Sequence, residues 1–469
     1  MINQATYLFQ NLILVYFLVI NSLYTLLTIL AFFEVREQQR RSYIDDYEYL
    51  HNSKLAPGIS FLVPAYNEEK NIIESIYSYL NVRYPLYEVI VINDGSKDKT
   101  LENLIKAFDL KPKYHVFRKD LPTQKIRAYY RSKKDPRLVV IDKENGGKAD
   151  ALNAGINTAR YPYLVGTDAD VLMEDDAILR IMRPMLEDPV LNMASGGIVR
   201  IANGCTVENG EVTRVNLSRS SLPVFQVIEY LRAFNIGRVG FAKLNSLMIV
   251  SGAFGVFNTY AVRRAGGYNI EAIGEDMDLL VRMHRMLREN DKKYRFLYLA
   301  HPVCWTEAPQ TLQVLGRQRN RWHRGNSQVV FSHIKMLFNP LYGTPGMIGM
   351  PYLFLFEFIG PLLEFFGYFY LLFLWISNRL NLQFFLAFLG VAVLWGMILS
   401  IMAILYEELY FKWYKKFSQL LRLLLYAFLE NLGYRQITVI WRSWGTIDFL
   451  LGKKSWGAII RICFQLLCL

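Results

Sequence analysis

Ile59-Ser-Phe-Leu-Val63-Pro-Ala-Tyr66-Asn67-Glu68-Glu69 sets a short, mostly apolar run directly before a polar, acidic turn. A run this short, with β-branched and aromatic side chains, predicts a buried strand, and the residues after it predict a helix over 68–80. The same alternation recurs downstream. Strands are expected over 87–92, 138–141 and 163–166, and helices over 97–108 and 148–159. This pattern predicts an α/β domain, a parallel sheet with helices on both faces. Sheets of that kind bind ligands at the carboxyl ends of their strands.

The predicted strand ends are polar and acidic. Pro64-Ala-Tyr66-Asn67-Glu68-Glu69 follows the first, Asn93-Asp94-Gly95-Ser96 the second, and Gly166-Thr167-Asp168-Ala169-Asp170 the fourth. Each alone is equally good turn or helix-cap chemistry. Three acidic clusters at one edge of a sheet would repel each other unless a cation joined them. A hard divalent ion, Mg2+ or Mn2+, takes oxygen ligands and bridges phosphates, so it suits that edge.

Beyond this region the composition changes. Hydrophobic residues make up 52% of the 469-residue chain and charged residues 20%, which predicts a protein divided between bilayer and water. Residues 1–33 carry no charge, and 7–33 are long enough to cross a hydrocarbon core. Arg36, Arg40 and Arg41 follow that span and no positive charge precedes it, so residues 35 onward are expected in the cytoplasm. A second apolar zone begins near Met350: 351–376 carries only Glu357 and Glu364, and 382–405 carries no charge. The stretch 420–440 holds Arg422, Glu430 and Arg435, and is expected at the interface or along a wet cavity. A cytoplasmic basic tail with Lys453, Lys454 and Trp456 requires two carboxy-terminal spans, or a third that is re-entrant. The expected division is therefore a membrane helix over 1–34, a linker over 35–58, a catalytic domain over 59–330, and interfacial and membrane helices over 331–469.

The net charge of +12 comes without zinc-finger spacing or an RNA-binding aromatic signature, which sets nucleic acid aside. Anionic lipid or an anionic substrate remains. The basic segment 118–137 is expected to be a solvated insertion, and 226–247 a helix on the membrane surface. Cys205, Cys304, Cys463 and Cys468 form no CxxC pair and are expected to be reduced packing residues. His301, His323 and His333 show no metal spacing.

Further motifs complete a series. Gly147-Lys148-Ala149, Gly274-Glu275-Asp276 and Gln318-Arg319-Asn320-Arg321-Trp322 follow the acidic strand ends in order. Together these residues resemble the processive family 2 glycosyltransferases, the group containing bacterial cellulose, chitin, hyaluronan and poly-N-acetylglucosamine synthases. The resemblance implies a GT-A fold, Rossmann-like with a mostly parallel sheet. It implies nucleotide-sugar binding by Tyr66, Glu68, Asp94, Lys148 and Asp168, with Asp94 at the nucleoside and Lys148 at the phosphates. It implies a metal on Asp168 and Asp170, and Asp276 as catalytic base. Glu275, Gln318, Arg321 and Trp322 fall on the acceptor side, with Trp322 under the acceptor sugar.

The implied reaction is inverting transfer of a hexose or N-acetylhexosamine from a nucleotide sugar, UDP-linked, to a growing polysaccharide. One base with no second nucleophilic carboxylate fits single displacement, although the residues alone also allow a double one. The implied setting is the plasma (inner) membrane, with the catalytic domain cytoplasmic, lipid around the helices and room for an accessory export protein. Glu357 and Glu364 lie seven residues apart on one helix face, which suits either a polymer channel or partners for helix ends. A transferase moving one sugar to a polyprenyl phosphate is the alternative, and a non-catalytic transporter or receptor a further one.

Overall fold

In the computed structural model, which describes residues 2–44, 47–114 and 116–453, the alternation of short apolar runs and helices becomes one ten-stranded sheet. Its strands in chain order are β1 (Ile59–Ala65), β2 (Tyr87–Asp94), β3 (Leu110–Pro112), β4 (Ile126–Ser132), β5 (Leu138–Lys143), β6 (Tyr163–Thr167), β7 (Val171–Met173) and β8 (Asn192–Ile201). After a separate β9–β10 hairpin (Thr206–Glu208, Glu211–Arg214) come β11 (Phe254–Asn258) and β12 (Arg295–Thr306). The order across the sheet is β3-β4-β5-β2-β1-β6-β11-β8-β12-β7. The central four, β5, β2, β1 and β6, are parallel neighbours. Only β4, β11 and β7 run against the rest, so this is the GT-A-like, mostly parallel arrangement. All eight residues of β2 and all six of β5 are buried, as strands covered on both faces must be.

The expected elements are present with shifted ends, and three departures matter. The segment 118–137 is not only a solvated insertion: β4 lies in it and pairs antiparallel with β5 through Tyr129–Ile141 and Tyr130–Val140. Residues 226–247 form helices that pack inward, with Gln226 and Asn235 fully buried. Gly240 meets the amino-terminal helix so closely that a Cβ there would lie 2.8 Å from Leu27 Cδ2. The stretch 35–58 is largely helical, because the amino-terminal helix runs unbroken over Ile2–Ile44. At 1.5 Å per residue it is about 65 Å long, twice a hydrocarbon core. Its far end docks on the sheet: Val35 is fully buried, and Gln38 exchanges hydrogen bonds with the backbone of Tyr298 (3.1 Å) and Ala300 (2.8 Å).

Among the described residues, three helices are long and apolar enough to cross a membrane: Tyr7–Arg41, Pro345–Ile376 and Leu382–Tyr410. The stretch 420–440 instead belongs to a kinked pair, Phe417–Leu429 and Arg435–Leu450, which breaks where Leu432 and Gly433 (φ 118) leave helical geometry. Cys205 and Cys304 are buried, and neither is in a disulfide among the described residues. Lys454, Trp456, Cys463 and Cys468 lie outside the described residues.

Candidate active site

Because β2, β1 and β6 are parallel neighbours, the three acidic loops emerge side by side at one sheet edge. They divide into two groups.

The first group is tied into the framework. Asp94, at the end of β2, is buried and accepts from Lys143 Nζ (2.5 Å) and the backbone N–H groups of Gly146 (3.0 Å) and Gly147 (2.8 Å). Lys143 is itself fully buried and also meets Asp150 at 2.5 Å. This triad holds the turn leading into the Lys148–Thr158 helix. Gly147 there adopts φ 88, a conformation that favours glycine. Tyr66 is exposed, and the Glu68 amide donates to Thr100 Oγ1 at 2.8 Å, joining the loops after β1 and β2.

The second group lines a cavity of about 810 Å³. Lys148, Asp168, Asp170, Glu275, Asp276, Gln318, Arg321 and Trp322 all face it, whereas among the described residues Tyr66, Glu68 and Asp94 do not. Lys148 Nζ sits between the two acidic motifs, 2.8 Å from Asp168 Oδ1 and 2.9 Å from Glu275 Oε1. Burial would lower its pKa, but Asp168, Glu275 and Asp276 outweigh burial and the net shift is upward. Asp276 Oδ2 accepts from Gly252 N at 3.0 Å. A Cβ on Gly252 would lie 2.8 Å from Lys148 Nζ, so a side chain there would push the ammonium from its place. Burial pushes the Asp276 carboxyl above the usual carboxylate range and Glu275 adds to it, while Lys148 pulls it back.

Packing brings the motifs together. Gly325 and Gly274 touch, and a Cβ on Gly325 would lie 3.1 Å from Gly274 N. This contact joins the Leu312–Ser332 helix, which carries Gln318 to Trp322, to the start of the Glu275–Glu289 helix. The other side of the Leu312–Ser332 helix meets Arg435–Leu450, where Gly316 admits Trp441 and Gly445 admits His323. Trp322 is 43% exposed, and the Arg319 guanidinium lies over its ring at 4.5 Å. Arg319 is ion-paired to Glu229, which also accepts from Tyr434 Oη at 2.9 Å.

Sequence reasoning missed three contributors. Tyr79 is a buried phenol whose one O–H lies within hydrogen-bond distance of both Asp168 O (2.6 Å) and Val171 O (2.9 Å), fixing the backbone of the Asp168–Asp170 turn. Its signal was absent, since it reads as one more apolar-face aromatic. Lys143 had a signal, an Asp142-Lys143 pair of charges ending an otherwise apolar buried strand. Glu229 had none.

The cavity continues between the long apolar helices, past Tyr24, Tyr352, Glu357, Glu364, Arg435 and Arg442. Glu357 pairs with Arg442 at 2.7 Å and accepts from Tyr352 Oη at 2.6 Å, and Tyr16 Oη donates to Glu364 at 3.1 Å. The second helix of the kinked pair, Arg435–Leu450, thus lines the cavity through Arg435, Thr438, Val439 and Arg442, and charged residues in such a stretch belong on a polar path.

A family model described as "Glycosyltransferase like family 2" matches residues 57–325. Over 274 residues the chain is 28% identical to a poly-beta-1,6-N-acetyl-D-glucosamine synthase of Staphylococcus epidermidis, covering 58% of this chain and 55% of that one. It is 29% identical over 290 residues to the synthase of the same name from Staphylococcus aureus (strain COL), covering 61% and 59%. The match thus spans little more than half the length of these relatives. Among solved structures, a mannosyltransferase from Pyrobaculum calidifontis in complex with GDP-Man and Mn2+ superposes with a TM-score of 0.50 at 18% identity. That superposition covers 87% of this chain and 99% of the other, and it shows the fold to be shared.

Proposed function

The chain belongs to the glycosyltransferase-like family 2, and from that membership we propose a membrane-embedded polysaccharide synthase. It transfers an N-acetylhexosamine or hexose from a nucleotide sugar, UDP-linked, to the end of a growing polymer, with inversion. The observation that carries this reading is one continuous cavity. It runs from the Asp168, Asp170 and Asp276 carboxylates, past Trp322, to a polar seam between membrane helices. A hexosaminyl donor is supported by the names of the Staphylococcus relatives.

Each residue's work follows from its chemistry. Asp276 takes the proton of the acceptor hydroxyl, and its raised pKa improves it as a base near neutral pH. Lys148, between Asp168 and Glu275, opposes the negative charge that grows on the leaving diphosphate. Trp322 offers an aromatic face to the acceptor sugar. Asp168 and Asp170 fit a hard divalent ion, being two carboxylates of one turn that share a cavity wall, with 29% of the Asp168 side chain exposed. Diphosphate and water would complete such a set. Bound there, Mg2+ or Mn2+ would neutralise phosphate charge on the departing nucleotide. The catalytic domain lies in the cytoplasm, and the polymer leaves through the seam between the helices.

A panel of nucleotide sugars given to the purified protein tests this reading. UDP release from a UDP-hexosamine, stopped by chelator and restored by Mg2+ or Mn2+, is expected. Full turnover in excess chelator would remove the metal from the account.

A further inference from the structure

Three side chains at successive turns of the Leu312–Ser332 helix line the cavity: Gln318, Trp322 and Asn326. Four-residue steps keep them on one face, each about 6 Å along the axis from the next. Arg319 covers part of Trp322, which leaves a single open indole face. On either side of it, Gln318 Oε1 and Asn326 Oδ1 are buried with no hydrogen-bond partner among the described residues. Asn326 is only 6% exposed, and its Nδ2 donates to Leu353 O at 3.4 Å. Its oxygen is therefore the atom left over, and it faces a donor or nothing. A buried acceptor with no donor is costly, so one that lines a ligand cavity marks where a ligand's N–H or O–H belongs.

Resting on the polymer-synthase reading, we propose that Asn326 forms a second acceptor subsite. Its Oδ1 accepts a hydrogen bond from the sugar unit next to the one stacked on Trp322, with Gln318 in the mirrored position on the other side. The donor is a ring hydroxyl or an acetamido N–H. An oligosaccharide satisfies all three positions at once, because it has apolar ring faces and donors on each successive unit.

Acceptor kinetics with monosaccharide and trisaccharide primers test the subsite in the full-length protein. Loss of one hydrogen bond predicts that Asn326→Leu raises the trisaccharide KM, relative to the monosaccharide KM, about three- to tenfold. Asn326→Ser, which keeps an accepting oxygen, recovers part of that rise. Trisaccharides with acetamido or hydroxyl groups at carbon 2 identify the donor: a penalty confined to the acetamido primer assigns the N–H, and a penalty on both assigns a hydroxyl. An unchanged KM ratio in Asn326→Leu with nucleotide binding intact overturns the subsite. So does an equal penalty on both primer lengths in both variants. Wild-type protein that makes no polymer, with or without a primer, would instead overturn the synthase reading itself.

Discussion

In the proposed reaction the chemistry turns on Asp276 and Lys148. Asp276 meets Gly252 N through one carboxylate oxygen and lies beside Glu275 and Lys148. Asp276→Asn keeps the shape and removes the base, so turnover should fall about 10²–10⁴-fold with nucleotide affinity nearly unchanged. Single-turnover rates with binding measured in parallel check this, and more than about a tenth of the wild-type rate would move the base elsewhere. Lys148 gives a second test with a defined sign. A base works only when ionised, so the acid limb of the pH–rate profile follows the Asp276 pKa. Burial and Glu275 raise that pKa and Lys148 lowers it, so Lys148→Met should move the acid limb to higher pH whatever it does to the maximal rate. An acid limb that stays put, or moves to lower pH, would contradict this pairing. The sequence made Lys148 and Asp276 legible because their motifs are local. Asp94 shows where locality ends: Lys143, Gly146 and Gly147 fill its carboxylate, and only the fold brings them there.

At the scale of elements, two helices are held together by the absence of side chains. A Cβ on Gly325 would lie 3.1 Å from Gly274 N and 3.2 Å from its Cα. Gly325→Val should force the Leu312–Ser332 helix away from Glu275 and Asp276, at about 1–3 kcal/mol for overpacking. Thermal unfolding in detergent and product yield should both fall, and wild-type values for both would show that the contact has slack. The central strands and the helices after them were readable from periodicity alone, since β1, β2, β5 and β6 are short and buried on both faces. The outer strands were not. β4 carries Arg127 and Arg131 among half-buried tyrosines, and β12 follows a helix and runs through Pro302, so neither has a clean two-residue period. The inward packing of 226–247 also escaped, because alternating polar and apolar residues fit a protein core containing buried Gln226 and Asn235 as well as a lipid surface.

For the whole molecule, the question is whether one cavity joins synthesis to export. Arg442, Glu357, Tyr352 and Tyr24 form a bonded chain across three helices beside the cavity. In sealed vesicles with the catalytic domain outward, new polymer should be protected from added glycosidase. Arg442→Met leaves Glu357 without its cation and should reduce that protection more than it reduces nucleotide release. Polymer that stays fully digestible outside intact vesicles would end the channel reading and leave the transferase reading standing. The most direct test of the central claim is the size of the product that purified protein makes from a labelled UDP-hexosamine in lipid. The account predicts long polysaccharide, shortened or lost in Trp322→Ala while nucleotide binding persists. A product consisting only of a single sugar on a lipid carrier, unchanged in Trp322→Ala, would contradict it.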